Sequence, residues 1–268
     1  MVPLSKVLRK PTAADDKYSR GVVGFITGSD ELPGAAILGV SAAWRVGVGM
    51  VRYLGPESVG RMLLEVRPEV VLQAGRVQAW VLGSGVTADQ SLAINQVLSE
   101  AGYAVIDAGA LDFVDFSDCA AESILTPHAG ELVRLLVRFE VAVSRAEIEA
   151  NPVKYAVQAA TLTGQTVLLK GNVTTIADKF GNHWQTPPAN PALATAGSGD
   201  VLAGLLGALI AINRSALDSA DIALADLALA GAVLHALAGA KAAEDGPVVA
   251  LDIADAVRAV VKGVLDEN

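Results

Sequence analysis

Asn190-Pro-Ala-Leu-Ala-Thr-Ala-Gly-Ser-Gly-Asp200-Val-Leu-Ala-Gly204 leads from a polar loop into an uninterrupted apolar run, Val201 to Ile212. Two glycines and a carboxylate therefore stand where a long helix begins. A helix start offers N–H groups without intrahelical partners, and glycines let a ligand approach them, so Gly197, Ser198 and Gly199 are expected to hold an anion. Asp200, beside that anion, could accept a proton from an attacking hydroxyl. An aspartate here is equally the ordinary complement of orphan amides and the helix dipole, and residue type alone does not choose.

Outward from this stretch, strands and helices alternate. Gly21 to Thr27 reads as a strand, Pro33-Gly34 opens an Ala-rich helix through Val46, and Val48 to Leu54 reads as the next strand. Ala79 to Leu82 is a strand ending at Gly83-Ser84-Gly85, Thr87 to Glu100 is helical, and Tyr103 to Ile106 is a strand ending at Asp107. Ile124 to Pro127 is a strand end, His128 to Leu136 has helical spacing, and Ser144 with Glu147 forms a capping box for a helix towards Leu162. Thr166 to Lys170 is again β-type; Thr174–Ala177 and His183–Thr186 flank a turn-rich connection and predict a hairpin. Helices are expected over Gly199–Ala211, Ile222–Ala243 and Asp252–Leu265, the last capped by Asp252.

This order predicts an α/β fold, a three-layer α/β/α sandwich with a mainly parallel sheet and an antiparallel edge hairpin. One domain is expected over 1–268, with 1–20 a flexible or helical extension. Ligands of such sheets sit beyond the carboxyl ends of the strands, where nearly every Gly-rich or polar segment falls.

Composition narrows the classes. Hydrophobic residues make up 52% of the chain and aromatics 4%, which suits a Val/Leu/Ile/Ala core between sheet and helices. The apolar run at 201–212 is too short to cross a bilayer and the first twenty residues hold no signal-peptide core, so a cytoplasmic location is expected, without membrane partners. A net charge of −9 disfavours nucleic acid, and a phosphate ligand must then be held by amides, a lysine or a metal. The single cysteine, Cys119, excludes an internal disulfide, and three histidines without ligand spacing predict no structural zinc. Gly47-Val-Gly49-Met-Val-Arg52 breaks the dinucleotide fingerprint at its last position.

Other residues carry two readings each. His128, at a helix start that disfavours imidazolium, either contacts substrate or caps its loop. Glu131 either positions a water or metal or complements the dipole. Lys170, with Gly171, Asn172, Val173 and Thr174, either meets a nucleotide or is a solvated charge. Gly83 and Gly85 serve a ligand or a tight turn. His235 reads as a core or interface histidine, and Leu227–Leu237, if exposed, would favour a homo-oligomer, with a tetramer expected.

Ala-Thr-Ala-Gly-Ser-Gly-Asp-Val-Leu-Ala-Gly resembles the anion-hole and catalytic-aspartate signature of ribokinase-like enzymes, and within them the ADP- or ATP-dependent dehydratases of hydrated NADH and NADPH. Four more segments carry the resemblance over about residues 22–210: Gly28-Ser29 with Pro33-Gly34-Ala35-Ala36; Leu82-Gly83-Ser84-Gly85; Leu125-Thr126-Pro127-His128-Ala129-Gly130-Glu131; and Leu169 to Thr174. Sugar kinases of the wider group usually carry an Asp where Ala194 or Thr195 stands, and thiazole-alcohol kinases a Cys in place of Asp200. The chain departs from the family at Thr27 (usually Gly), Leu32 (usually Tyr) and Gly109 (usually Asp).

The resemblance implies that Asp200 is the base, that Gly197 to Gly199 steady the transferred phosphoryl group, and that Lys170 to Thr174 with Gly199 hold the nucleotide. It assigns Ala35, Ala36, Gly83, Gly85, His128 and Asp200 to the substrate, the S-epimer of the hydrate. Mg²⁺ is expected beside ADP or ATP, with Glu131 as a candidate ligand. An epimerase acting in the same pathway is expected on a separate polypeptide. The alternatives are a kinase of a thiazole- or pyrimidine-type vitamin precursor and a nucleotide-binding relative without turnover.

Overall fold

The computed structural model of the chain describes residues 2–267. Its centre is an eight-stranded sheet of order β2-β1-β3-β4-β5-β6-β7-β8. Strands β1 (Val22–Ile26), β2 (Met50–Tyr53), β3 (Ala79–Leu82), β4 (Tyr103–Ile106), β5 (Glu122–Leu125) and β6 (Thr166–Leu169) run parallel. The short strands β7 (Thr175–Ala177) and β8 (His183–Gln185) add the expected antiparallel edge.

Strands β1, β2, β4 and β6 are buried at every residue, as apolar runs covered on both faces must be. Two apolar clusters, one per face, complete the sandwich. The larger contains α1 (Leu4–Val7), α2 (Gly34–Val46), α8 (Ser198–Ile212), α10 (Leu224–Ala242) and α11 (Ala250–Asp266); the other is built around α4 (Ser91–Glu100), α5 (Ala129–Val137) and α7 (Pro152–Thr163). Short helices α3 (Glu57–Val66), α6 (Arg145–Ala150) and α9 (Arg214–Asp218) complete the set.

Helices α2 and α8 cross without an intervening side chain: a Cβ on Gly204 would lie 2.0 Å from the Gly39 carbonyl oxygen. A crossing that close admits only glycine and fixes where the two helices begin. Near the N-terminus, Val7 and Leu8 are buried in the core, and Arg9 is held by the Asp15 carboxylate and the Ser19 carbonyl.

Several local expectations need correction. The helix read from Ser144 towards Leu162 is two helices, although Ser144 and Glu147 do form the capping box. Pro152 displaces Asn151 from helical backbone, so α6 stops and α7 starts with proline at its first position. Asp252 is the third residue of α11, not its N-cap, and serves from there by accepting the Val249 N–H at 2.9 Å. Within Leu227–Leu237 most residues are core, Val233 and Ala236 are half-buried and Leu237 is exposed, so the exposure that would favour association is limited to these three. By length and apolarity the segment Leu224–Asp245 could span a membrane, yet two thirds of its most apolar 18-residue window is buried within the fold, where α10 packs on α8 and α11.

Candidate active site at the carboxyl rim

Five parallel strands deliver their next residues to one rim: Thr27-Gly28 after β1, Gly83 to Gly85 after β3, Asp107 after β4, Thr126 to His128 after β5, and Lys170 after β6. The strand order reverses between β1 and β3, where open sheets of this kind leave a crevice. The head of α8 meets the same rim, since a Cβ on Gly199 would lie 3.4 Å from Lys170 Nζ.

At that head Gly197 has φ +87°, a left-handed conformation that turns the chain into the helix. Ser198 donates its N–H to the Thr195 carbonyl at 3.3 Å, whereas no bond from the Gly199 or Asp200 amide is present among the described residues. Two unspent donors at the positive end of a 15-residue helix form an anion seat. The Ser198 hydroxyl points inward, 3.1 Å from His235 Nε2, so towards the rim this residue offers only backbone. Changing Gly197 to Ala is expected to cost about 1–3 kcal/mol and to depress turnover, because its Cβ would meet Leu38 Cδ1 at 2.4 Å in a conformation L-residues resist. Urea unfolding of the variant checks the first effect and steady-state kinetics the second.

Beneath the seat lies a charge cluster that the sequence reading did not assemble. Asp107, 2% exposed, accepts from Lys170 Nζ at 2.8 Å, Thr126 Oγ1 at 2.7 Å and Ser84 Oγ at 2.8 Å. Burial opposes its ionisation, but the Lys170 ammonium and the two hydroxyls outweigh it and hold the carboxyl below its ordinary range. Burial likewise disfavours the ammonium, and Asp107 and Glu131 more than offset this, so Lys170 stays charged. Glu131 Oε2 lies 3.6 Å from Lys170 Nζ.

Asp200 faces the same ammonium and has the opposite fate. Burial first, then the negative charges of Asp107 and Glu131, push its carboxyl up to about 6 against the pull of Lys170. A carboxylate held near neutrality can take up and release a proton at physiological pH, as a general base must. With all three carboxyls ionised, three negative charges surround one ammonium and the quartet carries −2. That excess would favour a divalent cation, but both Asp107 oxygens are already engaged by Lys170, Thr126 and Ser84, and no group of three or more metal-ligating side chains is present among the described residues, which leaves Glu131 as the candidate donor.

The remaining residues fall around this centre. His128 caps α5: its Nδ1 accepts from the N–H groups of Gly130 at 3.0 Å and Glu131 at 3.2 Å, while Glu131 returns the bond to His128 N–H. An Nδ1 so occupied puts a neutral ring's proton on Nε2, which lies 3.5 Å from Glu131 Oε1 on a side chain about half exposed. His128 and Lys170 pair as neighbouring parallel backbone. Ala35 and Ala36 open α2 against the glycine turns; Cβ atoms on Gly85 and Gly28 would meet them at 2.7 and 3.2 Å. Gly83, φ +107°, packs on the Asp107 carbonyl. Gly171 to Thr174 form a largely exposed turn between β6 and β7, from which Lys170 alone reaches inward to the cluster.

The three departures acquire physical descriptions. Thr27 is buried, its carbonyl accepting from Tyr53 Oη at 2.7 Å, and its own hydroxyl has no partner among the described residues. Leu32 is 58% exposed beside Gly85. A Cβ on Gly109 would lie 2.9 Å from the Val86 carbonyl oxygen, so glycine fits a close approach of the two rim turns.

Known proteins resemble this chain over most of its length. The profile of a family described as NAD(P)H-hydrate dehydratase matches residues 23–261. The bifunctional NAD(P)H-hydrate repair enzyme Nnr of Mycobacterium tuberculosis is 41% identical over 75% of this chain, which spans 43% of that protein. This chain covers about half the length, or less, of the bifunctional relatives it matches. The ADP-dependent (S)-NAD(P)H-hydrate dehydratase of Bacillus subtilis is 32% identical, over 72% of this chain and 74% of its own. A crystal structure of the ADP/ATP-dependent dehydratase of Bacillus subtilis, grown with ATP and Mg²⁺, superposes with a TM-score of 0.85 at 26% identity, covering 97% of this chain and 96% of that one.

Proposed function

Because this chain belongs to the NAD(P)H-hydrate dehydratase family, we propose that it removes the added water from the hydrated nicotinamide ring of NADH and NADPH, S-epimer, at the expense of ADP or ATP. The observation that carries the reading is the carboxyl of Asp200, raised to about 6, beside the unspent amides of Gly199 and Asp200 on a ribokinase-like fold.

Asp200 takes the proton of the ring hydroxyl as its oxygen attacks the nucleotide's terminal phosphorus. The phosphorus–oxygen bond to the rest of the nucleotide breaks, and the amides at the head of α8 with the Lys170 ammonium stabilise the group in transfer. Phosphate then leaves the ring carbon, driven by the ring nitrogen's electron pair, as a proton leaves the neighbouring carbon. With ADP the products are reduced nicotinamide nucleotide, AMP and phosphate. Magnesium would be held mainly by the nucleotide phosphates, with Glu131 as the candidate protein donor, and would supply neutralisation of their charge.

Ala35, Ala36, Gly83, Gly85 and the Nε2–H of His128 line the side from which the hydrate enters, and the turn Gly171 to Thr174 receives the nucleotide. An epimerase activity in the same pathway would supply the S-epimer. A cytosolic setting fits the lone half-buried cysteine, a free thiol whose pKa burial pushes up.

The test is recovery of reduced-nicotinamide absorbance from the purified hydrate with ADP and, separately, ATP. Recovery with phosphorus NMR showing free phosphate is the expected result. A persisting phosphomonoester of the substrate would reject dehydration, and no recovery with either nucleotide would reject the substrate.

A further inference from the structure

We infer that His235 is a positioning residue for the phosphate seat: from the interior of α10 it holds the first turn of α8 in place through the Ser198 hydroxyl. The inference deepens the function proposed above and rests on it.

Helix α10 is otherwise apolar on its buried sides, with Leu227, Ala228, Leu234 and Ala238 all fully covered. An imidazole in such a stretch is costly unless it satisfies a partner. His235 is 8% exposed, and its Nε2 lies 3.1 Å from Ser198 Oγ, a contact wholly within the protein. Burial first, and then the Lys170 charge, bring its pKa down to about 4 against a hydrogen bond to the Ser198 backbone that raises it, so the ring is neutral at physiological pH.

Ser198 is the residue on which the seat turns. It follows left-handed Gly197, it starts α8, its N–H is spent on Thr195, and the unspent amides of Gly199 and Asp200 come next. Rotation of Ser198 about the chain would swing those amides and the Asp200 carboxylate together. Its backbone is tied on the loop side by Thr195 and its side chain on the core side by His235, so neither tie alone sets the aim of the donors. Oxyanion-type donors lose their effect over small misplacements, which makes the core-side tie worth measuring in turnover and not only in stability.

The experiment compares wild type with His235→Leu, Ser198→Ala, the double variant and His235→Asn, reading kcat and KM for the hydrate with ADP and, by calorimetry, the affinity for inorganic phosphate. His235→Leu and Ser198→Ala are each expected to lower kcat about 10- to 100-fold and to weaken phosphate binding, with KM for the hydrate within about twofold. The double variant should be no worse than either single one, and His235→Asn, which keeps a side-chain hydrogen-bonding group, should recover part of kcat. Unchanged kcat in Ser198→Ala, or losses that simply multiply in the double variant, would overturn the inference; should His235→Leu not fold, Ser198→Ala and His235→Asn decide it. A wild-type protein that binds phosphate but leaves the hydrate untouched would sink the proposed function instead, while the comparison of phosphate affinities would still judge the tie.

Discussion

Replacing Asp200 by Asn is expected to lower kcat by about 10²- to 10⁴-fold, the range for loss of a general base, while leaving the fold intact or firmer. The carboxylate is the only group at the head of α8 able to take the substrate's proton, and the amide that replaces it cannot. In wild type the rate should fall as pH drops through about 6, because the protonated acid is no longer a base. The same shift has a stability consequence with a definite sign. Between pH about 4 and 6 the folded chain keeps a proton that the unfolded chain has released, so stability declines as pH rises through that window. Above it the charge costs the fold roughly 2–3 kcal/mol, which the neutral Asn should recover. Urea unfolding at pH 7.5 beside the dehydration assay tests both; a destabilised Asn variant would contradict the electrostatic account even if activity were lost.

Replacing Lys170 by Met is expected to cost about 3–5 kcal/mol of stability together with nearly all activity. Its ammonium is the shared counter-charge of Asp107, Glu131 and Asp200, and its removal leaves carboxylates facing one another in a half-dry pocket. They can relieve the repulsion only by binding protons, so the Asp200 carboxyl should rise further above 6. A titration of the variant followed by carboxyl NMR would register that rise. An Asp200 carboxyl that did not move would mean that Lys170 and Asp200 are electrostatically independent, contrary to the cluster described.

How much of this could be read from the residues depends on where the information lies. Strands β3 and β4 are bounded where the sequence reading put them, since short apolar runs closed by Gly83 or Asp107 leave little freedom. The helix head with its unspent amides was legible for the same local reason: glycine, carboxylate and apolar helix follow one another in a dozen residues. The break at Pro152 was legible too but lost to a capping box pointing the other way. The buried charge cluster was not legible, because Ser84, Asp107, Thr126 and Lys170 are joined only once four strands align their ends. The signal available was an aspartate closing a wholly apolar strand on the rim that already held the other motifs. His235 gave no signal, since a single histidine among alanines and leucines looks the same whether or not a serine from another helix meets it. The assignment of Asp200 as base and not cap came from resemblance, and its raised pKa is the independent physical support.

The crossing of α2 and α8 admits no side chain between the two helices. The first turns of these helices carry the residues proposed to cradle the substrate ring and to hold the phosphoryl group, and backbone pressed on backbone a few residues inward leaves no slack between them. The spacing between nucleophile and electrophile is thus built like the jaw setting of a fixed-gap calliper. Any adjustment during a catalytic cycle has to come from the mobile partners, nucleotide and ring, brought to the gap and not from the gap opening to receive them.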